Sequence, residues 1–316
     1  PCRLRVPVIT YIIRRLIQAI PVLIGITIFT FLIVHLTPGD PVVLFAGDKP
    51  ISDGGIESHT KAYGLDKPMW RQYVDYLADA VRLDFGPSYA QRNRDVIDIL
   101  RDFVPISLKL GIAAMIVAAV LGITAGTIGA VRRNTPIDYF ATFGAIVGVS
   151  APSYVVASLL ILLFASKLHW LPTGGWDGIF SKQAIIPTLA LSFAPAAALA
   201  RYTRSALIEV LQQDYVRTAR AKGLAETGVI VRHALRNALI PVVTIMGLQF
   251  AAVATGSFFV ETVCGVPGIG RYFVRSIAVR DYPVILATTL LFAVAVSIMN
   301  LIVDLMYGLL DPRISY

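Results

Sequence analysis

The chain has 316 residues, of which 56% are hydrophobic and only 15% charged, far from the roughly 25% charged residues of a soluble domain. Its net charge is +8, yet no Lys/Arg run carries interleaved aromatic residues, which argues against a nucleic-acid partner. Two cysteines and four scattered histidines supply neither a disulfide framework nor metal-ligand spacing.

The apolar residues cluster into runs near the roughly 20 residues that cross a hydrocarbon core. Arg14 and Arg15 precede the first, as in a signal peptide. That run is too long for one and meets Thr37-Pro38-Gly39-Asp40 without a small-residue cleavage site, so an uncleaved span over 16–36 is expected. The polar segment 37–104 follows. Within it Trp70, Tyr73, Val74, Leu77 and Val81 fall at helical spacing, as do Val96, Ile97, Leu100 and Phe103. Both stretches predict short amphipathic helices near the membrane surface.

The second span is predicted over 106–131, where Gly122 and Gly126 form a small-xxx-small pair suited to close helix packing. The third covers 139–165, with Pro152 as a kink. A connection over 166–183 contains His169-Trp170-Leu171-Pro172, whose Trp suits an interface. The fourth span is 184–200, the fifth 238–260 and the sixth 284–303, with a turn-rich link at 261–283. The chain is thus predicted all-α, an integral membrane protein of six transmembrane helices. Its organisation is 1–36 (N-terminus and first span), 37–104 (helical extracytoplasmic segment) and 105–316 (five-helix core).

Charge sets the orientation. With both termini in the cytoplasm, 14 basic groups lie inside, among them Arg132, Arg133 and seven in the loop 201–237. The long segment 37–104 holds 8 basic and 11 acidic residues, and long loops count little in this rule. In this topology Cys2 and Cys264 stand on opposite sides and cannot pair.

Chemistry is conspicuous by what the motifs lack. There is no G-x-x-x-x-G-K-[ST] phosphate loop and no H-E-x-x-H. Gly148-Val149-Ser150-Ala151-Pro152 lacks the second glycine of a serine-nucleophile turn and has no partner histidine. No enzyme constellation is left. His35, Asp304 and Lys109 are the ionisable groups near span ends, too few for an ion-coupled carrier with midplane carboxylates.

The loop 201–237 carries the structured signal. Asp214 is expected as an N-cap, Val216 to Lys222 as two helical turns, and Gly223 as the left-handed residue that ends them. A second amphipathic helix is expected with Val229, Ile230, Ala234 and Leu235 on one face, running to Pro241. Two readings fit: docking against a partner protein, which the small Ala219 and Ala221 would allow to come close, or a solvated basic loop held by anionic lipid.

Arg217-Thr218-Ala219-Arg220-Ala221-Lys222-Gly223 resembles the cytoplasmic EAA loop of bacterial ABC import permeases. Ala219 and Gly223 match that pattern. Arg217 stands where Glu is common, and Arg236 stands at the position of the family's later proline, with Pro241 five residues on. The run Arg232-His233-Ala234-Leu235-Arg236-Asn237 resembles the oligopeptide/dipeptide branch. So do Arg14-Arg15-Leu16, Thr37-Pro38-Gly39-Asp40-Pro41, Gly64-Leu65-Asp66-Lys67-Pro68, Asp84-Phe85-Gly86-Pro87-Ser88, His169-Trp170-Leu171-Pro172, Pro267-Gly268-Ile269-Gly270, Arg280-Asp281-Tyr282 and Asp311-Pro312-Arg313-Ile314. The long segment after the first span resembles the B-type (OppB/DppB-like) member of the branch.

This resemblance implies the type I ABC importer permease fold and a non-catalytic permease subunit in a bacterial cytoplasmic membrane. It implies as partners a C-type second permease, two ATP-binding subunits and an extracytoplasmic peptide-binding protein, beside membrane lipid. It also implies that the chain has no cofactor of its own, ATP and magnesium being bound by the ATPase subunits. The implied coupling residues are Asp214, Tyr215, Arg217, Thr218, Ala219, Arg220, Lys222, Gly223 and Leu224. Dipeptides or oligopeptides are the implied cargo; nickel, glutathione or opines on the same architecture are the alternatives, with an ion-coupled secondary transporter as a more distant one.

Overall fold

The structure, a computed structural model, describes residues 8–37, 66–91 and 94–310, with backbone alone at 8, 251–252, 254–256 and 306–310. The motifs at 38–41, 64–65 and 311–314, and Cys2, lie outside the described residues.

Among the described residues the chain is helical. Five helices are long and apolar enough to span a membrane: Ile9–Leu36, Val96–Val131, Lys182–Leu211, Glu226–Phe250 and Tyr282–Leu305. A further pair, Pro136–Ser150 and Ser153–Lys167, is apolar and long enough only when taken together and is bent by 109°; counted as one broken span it makes six. In chain order the elements are α1 (Val8–Leu36), α2 (Met69–Val81), α3 (Val96–Val131), α4 (Pro136–Ser150) and α5 (Ser153–Leu160), which continues as a π-helical stretch (Ile161–Lys167). Then come α6 (Ile185–Leu211), α7 (Asp214–Ala221) and α8 (Glu226–Gly228). A second π-helical stretch (Val229–Leu235) joins α8 to α9 (Arg236–Val263), followed by α10 (Ile269–Val279) and α11 (Tyr282–Leu310).

The chain forms two compact units. One comprises Leu108–Val266 and the chain from Ile298 onward, the other Ile9–Ser107 and Pro267–Ser297. In the first, α6 is central: 67% of its apolar window is buried, against 17% for α1 of the other unit. It packs against α4, α5 and α9. The contacts with α3 and α4 run through small residues. A Cβ placed on Gly122 would stand 2.6 Å from the Ala196 carbonyl oxygen, and one on Gly126 would stand 2.4 Å from that of Ala200. At Gly148 a Cβ would meet that of Ala197 at 2.6 Å. The small-xxx-small pair therefore does what its spacing implies and brings two backbones together.

Pro152 does more than kink the third span. The residue before a proline is driven out of the α region, and Ala151 is extended at φ −82°, ψ 121°. Pro152 itself takes φ −60°, ψ 135° and begins α5 as its N-cap residue, so one predicted span becomes two helices.

In the second unit, α2 forms as predicted. Tyr73, Tyr76 and Ala80 turn inward: the Tyr73 and Thr27 hydroxyls are 3.0 Å apart, and the Tyr76 hydroxyl donates to the Leu286 carbonyl at 3.4 Å. Trp70, Val74 and Val81, on the same helix, stay exposed. The stretch 96–103, expected as a separate surface helix, is instead the start of the 36-residue α3, which passes through Pro105. An interior proline costs about 3 kcal/mol. Burial of Val96, Ile99 and Leu100 against Ile269, Val284 and Ala287 opposes that, at roughly 1.5–3 kcal/mol for each large side chain fully buried.

Candidate coupling helix and its seat

α6 does not stop at Ala200, where the apolar run ends, but continues to Leu211. Its last turns supply Leu207, fully buried, which with Ala130, Val216, Ala219, Val229, Ala234 and Ala238 forms one core cluster. The segment 201–237 is consequently a folded seat built from α6, the second π-helical stretch and the start of α9, with α7 lying on it. The solvated-loop alternative does not describe this packing.

α7 has eight residues, and its inward side is the i, i+3 pair Val216 and Ala219, both buried. Ala219 thus meets this chain's own core and is not part of the outer face. Asp214, expected as the N-cap, is the first helical residue; Gln213 holds the cap position, and no side chain caps the helix. The Asp214 carboxylate still lies in the first turn, where it complements the helix dipole. Its side chain is 97% exposed and 3.7 Å from the Arg217 guanidinium.

Two further contacts hold α7 in place, and a third lies within it. The Tyr215 hydroxyl accepts from Asn237 Nδ2 at 2.8 Å. Arg220 donates to both carboxylate oxygens of Glu226, at 2.7 Å through Nη2 and 3.1 Å through Nε. Thr218 Oγ1 donates to the Asp214 carbonyl at 2.9 Å. At the far end Lys222 is the C-cap residue, and Gly223 takes φ +77°, the left-handed conformation expected of it. Its N–H donates to the Arg220 carbonyl at 2.9 Å.

What remains outward is Asp214, Arg217, Thr218, Ala221, Lys222, Gly223 and Leu224. The face is basic at Arg217 and Lys222 and apolar at Leu224, which is 47% exposed. Beneath it, Arg204 of α6 donates to both carboxylate oxygens of the buried Asp138 on α4, at 2.5 Å and 2.8 Å. The Asn134 N–H donates to the same carboxylate at 2.9 Å. A fork-to-carboxylate pair of this kind fixes orientation as well as distance, so the seat is pinned to α4 through α6.

Sequence reasoning missed Asn237, Glu226 and the Asp138–Arg204 pair. Val216 and Ala219 at i, i+3 were the available signal for the inward side. It also missed a site in the other unit, where two quoted motifs meet. Asp281, buried, accepts from the Ser88 hydroxyl, from the Tyr89 N–H at 3.0 Å and from the Ala90 N–H at 3.1 Å. The Asp-Phe-Gly-Pro-Ser turn and the Arg-Asp-Tyr corner are thus one structure, a carboxylate closing a loop some 190 residues away in sequence.

Comparisons with known proteins agree with this architecture. Residues 118–316 match the family described as binding-protein-dependent transport system inner membrane component, and 8–111 match the N-terminal region of such membrane components. The dipeptide transport system permease protein DppB of Bacillus subtilis is 43% identical over 305 residues, spanning 96% of this chain and 97% of that one. The oligopeptide transport system permease protein OppB of Escherichia coli K12 is 42% identical, with 97% and 99% covered. The glutathione transport system permease protein GsiC of Escherichia coli O1:K1 is 44% identical, with 98% and 99% covered. Among solved structures, an inward-facing MetNI methionine ABC transporter chain aligns with a TM-score of 0.55 at 17% identity, covering 67% of this chain and 96% of its own. The chain belongs to the family of inner-membrane components of binding-protein-dependent transport systems.

Proposed function

We propose that this chain is the B-type permease subunit of an ATP-driven importer of dipeptides or oligopeptides, and that α7 is the element through which the ATP-binding subunits act on the spans. The observation that carries this reading is the division of α7 into two sides. Val216 and Ala219 are sealed into the chain's own core, while Arg217, Lys222 and Leu224 face out. A solvated loop needs no such seat; a lever does. Movement of α7 reaches the spans through Leu207 of α6 and the Arg204–Asp138 pair. The complex then has two states of the spans, and ATP-driven closure of the partner subunits selects between them. In this reading the remaining partners are a C-type permease, two ATP-binding subunits holding ATP and magnesium, and an extracytoplasmic peptide-binding protein. Both termini are cytoplasmic, as the positive-inside count gives.

The second reading, glutathione as cargo, is favoured by the similarity to GsiC at 44% identity. Cells lacking their own peptide and glutathione importers, given this chain with its neighbouring subunits, separate the two by uptake of labelled tripeptide against labelled glutathione. Gly223→Val tests the coupling role in the same cells. A β-branched residue in the left-handed region costs roughly 1–2 kcal/mol, and nothing stands within 4 Å of the added Cβ, so the strain is confined to the backbone. The expected outcome is normal membrane abundance with lost uptake. Wild-type uptake with normal assembly would reject the coupling role.

A further inference from the structure

We propose that a groove beside the coupling helix is a binding site for one anionic phospholipid. The groove, about 320 Å³, is lined by Thr127, Ile128 and Val131 from the last turns of α3, by Arg132 just beyond its end, and by Thr227, Ile230 and Val231 from α8 and the π-helical stretch after it. Ile230 is buried at its floor, whereas Ile128, Val131 and Val231 are exposed. In a membrane chain, aliphatic walls at the end of a span take up hydrocarbon.

The charge at the mouth is positive. Arg132 is the cation that lines the groove, and it is exposed. The nearby acids are occupied. Glu226, beside Thr227, is held by Arg220, and Asp138, against Gly129 of α3, is held by Arg204. A guanidinium matches a phosphate diester in charge and geometry. Basic pockets between spans on the cytoplasmic side are where anionic head groups are recognised. A free phosphate would leave the aliphatic walls bare, and an apolar protein segment would leave the arginine without an anion. A phospholipid satisfies both.

The position gives the site a consequence, which rests on the coupling role proposed above. Val229 and Ala234 of the π-helical stretch seat α7, while Ile230 and Val231 of the same stretch line the groove. An acyl chain in the groove therefore braces the turn on which the coupling helix rests.

The test uses the full chain assembled with its transporter subunits, in nanodiscs of phosphatidylcholine with or without phosphatidylglycerol, and native mass spectrometry of retained lipid. Wild type should retain phosphatidylglycerol about fivefold over phosphatidylcholine, the difference expected of one cation at the surface. Arg132→Gln should equalise the two. Val231→Trp, an exposed position that fills the groove without touching the core, should lower retention of both. Wild-type retention in both variants overturns the proposal. So does a photo-crosslinker at position 231 that captures a polypeptide instead of lipid. Arg132-dependent retention alongside normal uptake in Gly223→Val would overturn the coupling reading and leave the lipid site standing; the reverse pattern would overturn the lipid site alone.

Discussion

Three glycines show how differently one residue type acts in this chain. Gly126 exists for contact: any side chain meets the Ala200 carbonyl at 2.4 Å. Gly144, on α4, has nothing within 4 Å, and Gly223 is needed for its positive φ alone. Gly126→Val should lower membrane abundance severalfold through overpacking of about 1–3 kcal/mol or more, while Gly144→Ala should leave abundance unchanged. Equal abundance of the two variants, read by quantitative immunoblot of washed membranes, would contradict the helix contact. Cys264 is a second case. It is 1% exposed at the end of α9, with the Gly175 N–H on its carbonyl at 2.9 Å. Burial pushes its thiol up to about 11. Raising a thiol's pKa lowers its reactive thiolate fraction at neutral pH, which recovers only as pH approaches that value. In sealed vesicles Cys264 should resist maleimide at pH 7 and label fully once unfolded. A topology test by cysteine labelling is therefore better placed at an exposed introduced site such as Asp177→Cys. Prompt labelling of native Cys264 at pH 7 would contradict its burial.

Elements were legible in the sequence where one signal dominated and illegible where tertiary contacts overruled it. Gly223 as a helix terminator and Gly122/Gly126 as a packing face were readable, because φ and side-chain volume are local properties. The length of α6 was not, because hydropathy falls at Arg201 while the helix continues to seat α7 on Leu207. The break at Pro152 was placed correctly, but its angle depends on packing against α6 that no local pattern encodes. The fusion of 96–103 with the second span ran against Pro105, since burial of Ile99 and Leu100 decided it. The Asp281 closure joins segments too far apart for any window to see.

That closure is testable. Asp281→Ala removes the acceptor of one hydroxyl and two N–H groups. Of these donors the Ser88 hydroxyl is buried, and an unsatisfied buried donor costs roughly 1–3 kcal/mol, so the segment 84–91 should loosen and become several times more sensitive to added protease. Unchanged cleavage would show that the loop does not depend on the carboxylate. On α7, Val216→Asp buries an unpaired carboxylate in the seat and should reduce membrane abundance, through a penalty of a few kcal/mol. Abundance equal to wild type would contradict the buried seat.

At the scale of the whole molecule, the chain carries spans for passage and none of the motifs for hydrolysing a nucleotide. Its outward face on α7, the seat beneath that helix and the end of α6 pack together within one compact unit. In the function proposed above, force enters α7 from an ATP-binding partner. The double variant Arg217→Glu/Lys222→Glu reverses the charge of that outer face while leaving Val216, Ala219, Tyr215 and Arg220 in their contacts. The direct measurement is peptide uptake together with ATP hydrolysis in vesicles bearing the reconstituted complex. The expected outcome is wild-type abundance, an uptake reduction of about tenfold or more, as loss of an interface contact of roughly 1.4 kcal/mol gives, and weakened retention of the ATP-binding subunits or hydrolysis without uptake. Uptake and subunit retention equal to wild type would contradict it.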